Sequence, residues 1–332
     1  MEENNFWQDR RVFVTGATGL LGSWLVKDLL SLKADVIALV RDRVSVSPLF
    51  NDDIISRITT VGGCVEDLDL MTRIMNEYEI ETIFHLAAQT IVTIALRDPV
   101  STFTSNIEGT WCVLEACRRV KTVKRIVIAS SDKVYGEQRE LPYNENMPLL
   151  GQNPYEISKV CADMIARDYA KTYGLPVVVA RCGNLFGGGD FNWNRIIPGT
   201  IRAALRGTSP VIRTDGTLVR DYFYVRDASA AYLQLAQNAH REELRGLPYN
   251  FSEGRPMSVA EICKETLRVC GRPDINIVIE GKSTSEIRKQ WLDSSNARED
   301  LKWKPAYGLE KGLAETFVWY EKYFSEENRG GK

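Results

Sequence analysis

The sequence predicts an α/β fold: a doubly wound parallel sheet with a smaller C-terminal part. Three observations carry this. Short β-branched runs alternate with longer amphipathic segments through the first half. The first run passes through a glycine-rich turn directly into a helical stretch. The alternation then stops at Gly187-Gly188-Gly189, giving way to longer loops, prolines and isolated helical segments. Strand–helix alternation implies right-handed crossovers, and hence parallel strands with helices on both faces.

RVFVTG (11–16) reads as a buried strand. Residues 20–32 follow as a helix, with Leu20, Leu21, Trp24, Leu25, Asp28 and Leu29 at helical spacing and one polar intruder among them. DVIALV (35–40) is the second strand. A helix is expected over 67–79, a strand over TIFHLAA (82–88), a long helix over 101–119 and a strand over RIVIASS (125–131). A helix over 155–173 and the strand PVVVARCGN (176–184) complete the alternation. Beyond the glycine run, helices are expected over 194–206, 227–239, 257–270 and 309–323, and the tail SEENRGGK reads as frayed. No internal repeat or low-complexity linker is present.

With 332 residues, 44% of them hydrophobic, the chain suits one large or two fused domains with a sizeable core. The net charge is −2 with both signs interspersed, and no basic block offers a nucleic-acid footprint. The opening MEENNFWQDRR has no apolar signal core, and no later run approaches a membrane span. The seven cysteines (64, 112, 117, 161, 182, 263, 270) form no CxxC pair and there are only two histidines, so no metal site is expected. The cysteines read as small buried apolar groups in a reducing cytoplasm.

The first strand runs into TGATGLLG, with Gly16, Gly19 and Gly22 three apart and a helix at once behind them. A turn without side chains lets the backbone approach a pyrophosphate, and the helix N-terminus offers free N–H groups and a positive dipole to it. Strand, glycine triplet and helix in that order make this a Rossmann-type dinucleotide site rather than a chance loop. The division is therefore 1–186 as the dinucleotide-binding part and 187–332 as mainly substrate-binding, with some segments returning to the first sheet. Val40-Arg41-Asp42-Arg43 ends the second strand, where an acid selects NAD and an arginine accommodates the 2′-phosphate of NADP. Asp42 argues for NAD, while Arg41 and Arg43 keep NADP open.

Tyr155 and Lys159 stand four apart at the start of a helix, on one face and one turn apart. A lysine ammonium beside the phenol, with the charge of an oxidised nicotinamide, is expected to lower the tyrosine pKa so that it takes a hydroxyl proton as hydride leaves. Ser131, at the end of RIVIASS, belongs at the carboxyl edge of the sheet, where ligands bind.

These residues carry a resemblance. TGATGLLG (15–22), FHLAAQ (84–89), SNIEGT (105–110), SSDKVYG (130–136), NPYEISK (153–159) and RCGNLFGGGD (181–190) together resemble the extended short-chain dehydrogenase/reductase family, in its NAD-dependent epimerase/dehydratase branch. The closest pattern within it is that of the CDP-glucose 4,6-dehydratases, from FWQDRRVFVTG to LDSSNAREDLKWKP. The resemblance implies a Ser131, Tyr155, Lys159 triad, and Asp132 and Lys133 as the pair that separates dehydratases from epimerases. It assigns Gly16, Thr18, Gly19, Leu20, Leu21, Gly22, Arg41, Asp42, Val65, Ala87, Ala88, Gln89, Tyr155 and Lys159 to the cofactor. Asn106, Ser131, Asn184, Arg195, Arg220 and Arg288 fall to the substrate. It further implies a homodimer and a nucleotide-sugar substrate, CDP-hexose before dTDP-, GDP- or UDP-hexose. Three positions depart from the family: Cys64 stands where an aspartate meets the adenine amine, Thr93 replaces an arginine, and the insert between Lys171 and Pro176 is short.

A 4,6-dehydration is redox-neutral. Hydride leaves carbon 4 of the hexose, the ketone acidifies the carbon 5 proton, a base removes it, an acid assists departure of the 6-hydroxyl, and hydride returns to carbon 6. An epimerase or 4-reductase on the same scaffold needs only the triad, whereas a dehydratase needs two more proton-transfer groups, for which Asp132 and Lys133 are the candidates. Lysine serves as a base only if its pKa is depressed, which the nicotinamide cation and Lys159 would encourage. Because neighbours on a strand point to opposite faces, both reach one substrate only if the chain turns at 131–134. His85, inside an apolar strand, reads as a packing residue. Trp193 suits stacking on a base or simple packing equally. The helices at 101–119 and 157–173 carry apolar residues on more than one face, as at a dimer interface or between sheet and neighbour.

Overall fold

The computed structural model describes residues 5–51, 54–282 and 286–330. Its first half runs β1 (Arg11–Thr15), α1 (Leu20–Ser31), β2 (Asp35–Val40), α2 (Pro48–Asn51), β3 (Thr59–Gly62), α3 (Leu68–Glu77), β4 (Thr82–His85), α4 (Val92–Arg97), α5 (Pro99–Phe103), α6 (Gly109–Arg119), β5 (Arg125–Ala129), α7 (Pro154–Tyr173) and β6 (Val177–Cys182). The second half adds β7 (Asn184–Phe186), α8 (Ile196–Arg206), β8 (Val211–Ile212), β9 (Val219–Tyr224), α9 (Val225–Asn238), β10 (Pro248–Phe251), β11 (Pro256–Ser258), α10 (Val259–Val269), β12 (Val278–Ile279), α11 (Ser295–Leu301) and α12 (Gly308–Gly330).

Seven strands form the central sheet in the order β10-β6-β5-β4-β1-β2-β3, every pair parallel. Because side chains alternate along a strand, the apolar runs sort themselves onto two faces. Val12, Val14, Val36, Ala38, Phe84, Val127 and Val178 enter one core with Leu25 and Leu29 of α1 and Ala228 and Ala231 of α9. Phe13, Ile37, Leu39, Ile83, Ile126, Ile128 and Val179 enter the other with Ile74 of α3, Val113 of α6 and Ala166 of α7. β10 extends the sheet beyond β6, and α9 packs on α1, so elements of the second half complete the first. A three-stranded sheet, β11-β9-β7, and the pair β12-β8 stand apart from it.

Several expected elements change in detail. The strand expected over 82–88 stops at His85, because Leu86 and Ala87 turn to donate their N–H groups to the Thr15 hydroxyl, both at 3.2 Å. The strand over 125–131 stops at Ala129, and Ser131 caps a short 3₁₀ turn over Asp132–Tyr135. The strand over 176–184 breaks at Gly183 into β6 and β7. The long helix over 101–119 is helical but wound as a π turn at Thr104–Glu108, between α5 and α6. The tail expected to fray is helical to Gly330, and residues 331–332 lie outside the described ones.

Candidate active site

β1 pairs with β2 on one side and β4 on the other, so the crossovers leave it in opposite directions and open a crevice at its carboxyl end. A single cavity of about 1560 Å³ occupies that edge. Gly16, Thr18, Gly19, Leu20, Leu21 and Gly22 line it. Gly16 adopts φ +72°, and a Cβ there would come within 2.7 Å of the Ala87 nitrogen. A Cβ on Gly22 would run into the Gly16 carbonyl, so the first turn of α1 lies directly against the loop. Gly19 caps α1 without a side-chain hydrogen bond, and the first-turn N–H groups of a helix have no partner within it. This bare, positively polarised terminus in a cavity fits a dinucleotide pyrophosphate.

Arg41, Asp42, Val65, Ala87 and Ala88 continue the lining. Arg41 Nε donates to Asp42 at 2.7 Å, so the arginine charge is matched locally. Gln89 does not line the cavity. Its backbone N–H donates to Asn106 Oδ1 at 2.7 Å, and Asn106 Nδ2 donates to the Gln89 carbonyl at 3.0 Å and the Ser158 hydroxyl at 2.8 Å. Asn106, 2% exposed on the π turn, therefore ties the β4 loop to α7 and is not part of the cavity lining. Arg288 likewise lies outside the lining, with an exposed side chain; its carbonyl accepts the Val219 N–H at 2.9 Å.

Ser131, Asp132, Lys133, Tyr155 and Lys159 all line the same cavity. Asn153 N-caps α7, with Pro154 in its first turn, which sets Tyr155 and Lys159 on the inward face. The 3₁₀ turn resolves the problem of opposite faces. Ser131 Oγ accepts the Lys133 N–H at 3.2 Å and donates to Asp132 Oδ1 at 3.1 Å. Asp132 Oδ2 is buried without a hydrogen-bond partner, 3.6 Å from Lys133 Nζ.

The electrostatics differ from expectation at the tyrosine. Burial pushes the Tyr155 phenol up to about 12, opposed by the Ser131 hydroxyl. Lys159 does not offset it: its ammonium donates to the Ala129 carbonyl at 2.8 Å, and burial pulls its own pKa down to about 8 against the pull of Asp163. Phenolate formation thus depends on further positive charge at the site. Lys133 is lowered, as a base requires, by burial first and by Arg220 as the nearby cation in place of the Lys159 expected, with Asp132 opposing.

The second half contributes Asn184, Arg195 and Arg220, all in the lining. Asn184 Nδ2 is buried and has no partner; Arg195 pairs with Asp190 at 3.0 Å and Arg220 with Glu286 at 3.2 Å. Four further lining arginines, Arg97, Arg202, Arg206 and Arg213, escaped the sequence reading because no motif spacing marks them. So did Gln290, which is buried against Asp132 and Lys133. Trp193 lines the cavity but packs against Tyr320 and Phe324, with the Arg202 guanidinium 4.7 Å from its ring centre. His85 is fully enclosed, bonded to the Thr15 and Thr110 hydroxyls at 2.9 and 3.1 Å, and burial lowers its pKa to about 3.

Residues 13–316 match the family model for GDP-mannose 4,6 dehydratase. The CDP-glucose 4,6-dehydratase of Salmonella typhimurium is 30% identical, over 99% of this chain and 95% of its own. Among solved structures, UDP-glucose 4-epimerase from Thermotoga maritima with UDP-glucose superposes at a TM-score of 0.86, with 29% identity, over 95% of this chain and 99% of its own. The dTDP-glucose 4,6-dehydratase from Bacillus anthracis in complex with NAD gives 0.81, with 28% identity, over 94% and 97%.

Proposed function

The chain belongs to the GDP-mannose 4,6-dehydratase family of extended short-chain dehydrogenase/reductases, and from that premise we propose that it is a nucleotide-sugar 4,6-dehydratase, of the CDP-glucose type, working with NAD. One observation carries the choice over an epimerase: the 3₁₀ turn that sets Asp132 and Lys133 in the lining beside Ser131 and Tyr155. The fold alone does not choose, since an epimerase and a dehydratase superpose comparably.

The glycine loop at Gly16–Gly22 and the open terminus of α1 would hold the dinucleotide, whose nicotinamide would supply a reversible hydride acceptor, for carbon 4 of the sugar first and carbon 6 afterwards. Tyr155, oriented with Ser131, takes the 4-hydroxyl proton, and Arg195 is the cation of the lining that favours its phenolate. Lys133, with its pKa lowered by burial, removes the carbon 5 proton, and Asp132 protonates the departing 6-hydroxyl. Asn184, Arg195 and Arg220 hold the nucleotide diphosphate, for which guanidinium groups suit a bidentate contact. Asp42, already paired with Arg41, favours the ribose hydroxyls of NAD over a 2′-phosphate.

The working unit is a homodimer. Leu96, Val100, Trp111, Ile157 and Met164 are exposed on α4, α5, α6 and α7, which pack together as one flank. The cytoplasm is its compartment, consistent with seven free cysteines. No helix among the described residues is long and apolar enough to cross a membrane.

Incubation with CDP-, dTDP-, GDP- and UDP-hexoses, followed by mass spectrometry, tests the proposal. Loss of water from one of them, without stoichiometric consumption of added cofactor, is the expected result. An epimerised or reduced product of unchanged water content supports the alternative, an epimerase or 4-reductase.

A further inference from the structure

Gln290 is fully buried and does not line the cavity, yet it touches the two residues that the elimination needs. Its Nε2 donates to the Asp132 carbonyl at 2.7 Å, and its Oε1 accepts from Lys133 Nζ. Only one amide orientation satisfies both contacts, since a carbonyl only accepts and an ammonium only donates. The strand-like segment around it is fastened on two sides. Gln290 N–H donates to the Val219 carbonyl at 3.1 Å, Tyr143 N–H to the Trp291 carbonyl at 2.9 Å, and Asp293 N–H to the Tyr143 carbonyl at 2.8 Å. The amide is thus delivered rigidly from the C-terminal half to the turn after β5.

We propose that Gln290 is the positioning residue of the elimination centre, one side chain that fixes the 131–134 turn and aims the Lys133 amine. This rests on the dehydratase reading of the site. A neutral amide suits the task because its oxygen accepts from either the ammonium or the free amine, so it orients the nitrogen without adding a counter-charge that would trap the proton. The other groups acting on Lys133 are Asp132 beside it, Arg220 on β9, Glu286, and Glu156 on α7. Burial outweighs the carboxylates among them and keeps the amine low. A carboxylate in place of Gln290 would tip that balance towards the ammonium, and an apolar side chain would remove the acceptor that stabilises it.

The test uses the full chain with Gln290→Glu and the near-isosteric Gln290→Met. The Lys133 pKa is read by NMR of carbon-13-labelled lysine side chains, its resonance assigned by its loss in Lys133→Arg. Gln290→Glu should raise the value by about 1 to 3 units, and Gln290→Met should lower it. In turnover, the pH profile of water loss should move in the same two directions, while the initial oxidation keeps its wild-type profile. Should both variants lose stability but leave the Lys133 pKa at its wild-type value, Gln290 is only a packing residue and the inference falls. Should the pKa move as stated but no sugar nucleotide lose water, the dehydratase reading fails and the positioning of the amine stands.

Discussion

At the scale of single residues, burial sets most of the chemistry. His85 was legible as a packing residue because it interrupts an otherwise apolar strand. What the sequence did not disclose is that Thr15 and Thr110 satisfy both ring nitrogens in a site too dry to hold the imidazolium. Its folded pKa, about 3 against an ordinary 6.5, means the unfolded chain binds a proton first as pH falls. Stability is therefore fully present above pH 6.5 and lost between 6.5 and 3, by about 1.4 kcal/mol per pH unit within that window. His85→Gln, which keeps a donor and an acceptor, should flatten this slope in urea titrations between pH 6 and about 4; an unchanged slope would place the acid sensitivity elsewhere. Tyr155 shows the same principle against expectation. Its spacing to Lys159 was legible, but not that Lys159 turns its ammonium to the Ala129 carbonyl.

At the scale of elements, the strand, glycine triplet and helix at 11–31 were readable because each glycine answers a close approach of backbone to backbone. Gly22→Ala should force α1 away from the Gly16 carbonyl. The expected result is dinucleotide binding weakened by about tenfold or more in calorimetry, with the far-ultraviolet circular dichroism retained. Unchanged affinity would mean that the turn does not contact the pyrophosphate. The π turn at Thr104–Glu108 was invisible, because α5 and α6 on either side keep ordinary helical faces and the extra residue leaves no mark on their periodicity. It is this turn that points Asn106 inward to Gln89 and Ser158, so a motif residue read as a substrate ligand also braces the loop after β4 against α7. β3 and β10 were missed for a different reason. They are four-residue edge strands, too short for an alternation to register.

At the scale of the whole molecule, the parallel sheet and the lining of one cavity by distant motifs followed from the sequence, since local patterning and the carboxyl-edge rule both act through short chain segments. The contribution of 286–294 did not. Gln290 and Arg288 lie two apart on an irregular segment, and only tertiary contacts decide which of them faces Lys133. The exposed flank of α4 to α7 bears on assembly. The wild type should sediment as a dimer and the Val100→Glu, Met164→Glu double variant as a monomer. A monomeric wild type would assign that flank to another role.

The central claim is that Asp132 and Lys133 carry out an elimination that the triad alone does not. The most direct measurement is single-turnover stopped-flow absorbance of the nicotinamide, with quenched-flow analysis of water loss, in Lys133→Met, Asp132→Asn and Tyr155→Phe. Lys133→Met and Asp132→Asn should slow water loss by about 100- to 10,000-fold while the near-ultraviolet band of the reduced nicotinamide rises and persists. Tyr155→Phe should abolish that band, since the first proton transfer fails. Water loss at the wild-type rate in Lys133→Met would contradict the account and leave the epimerase reading as the better one.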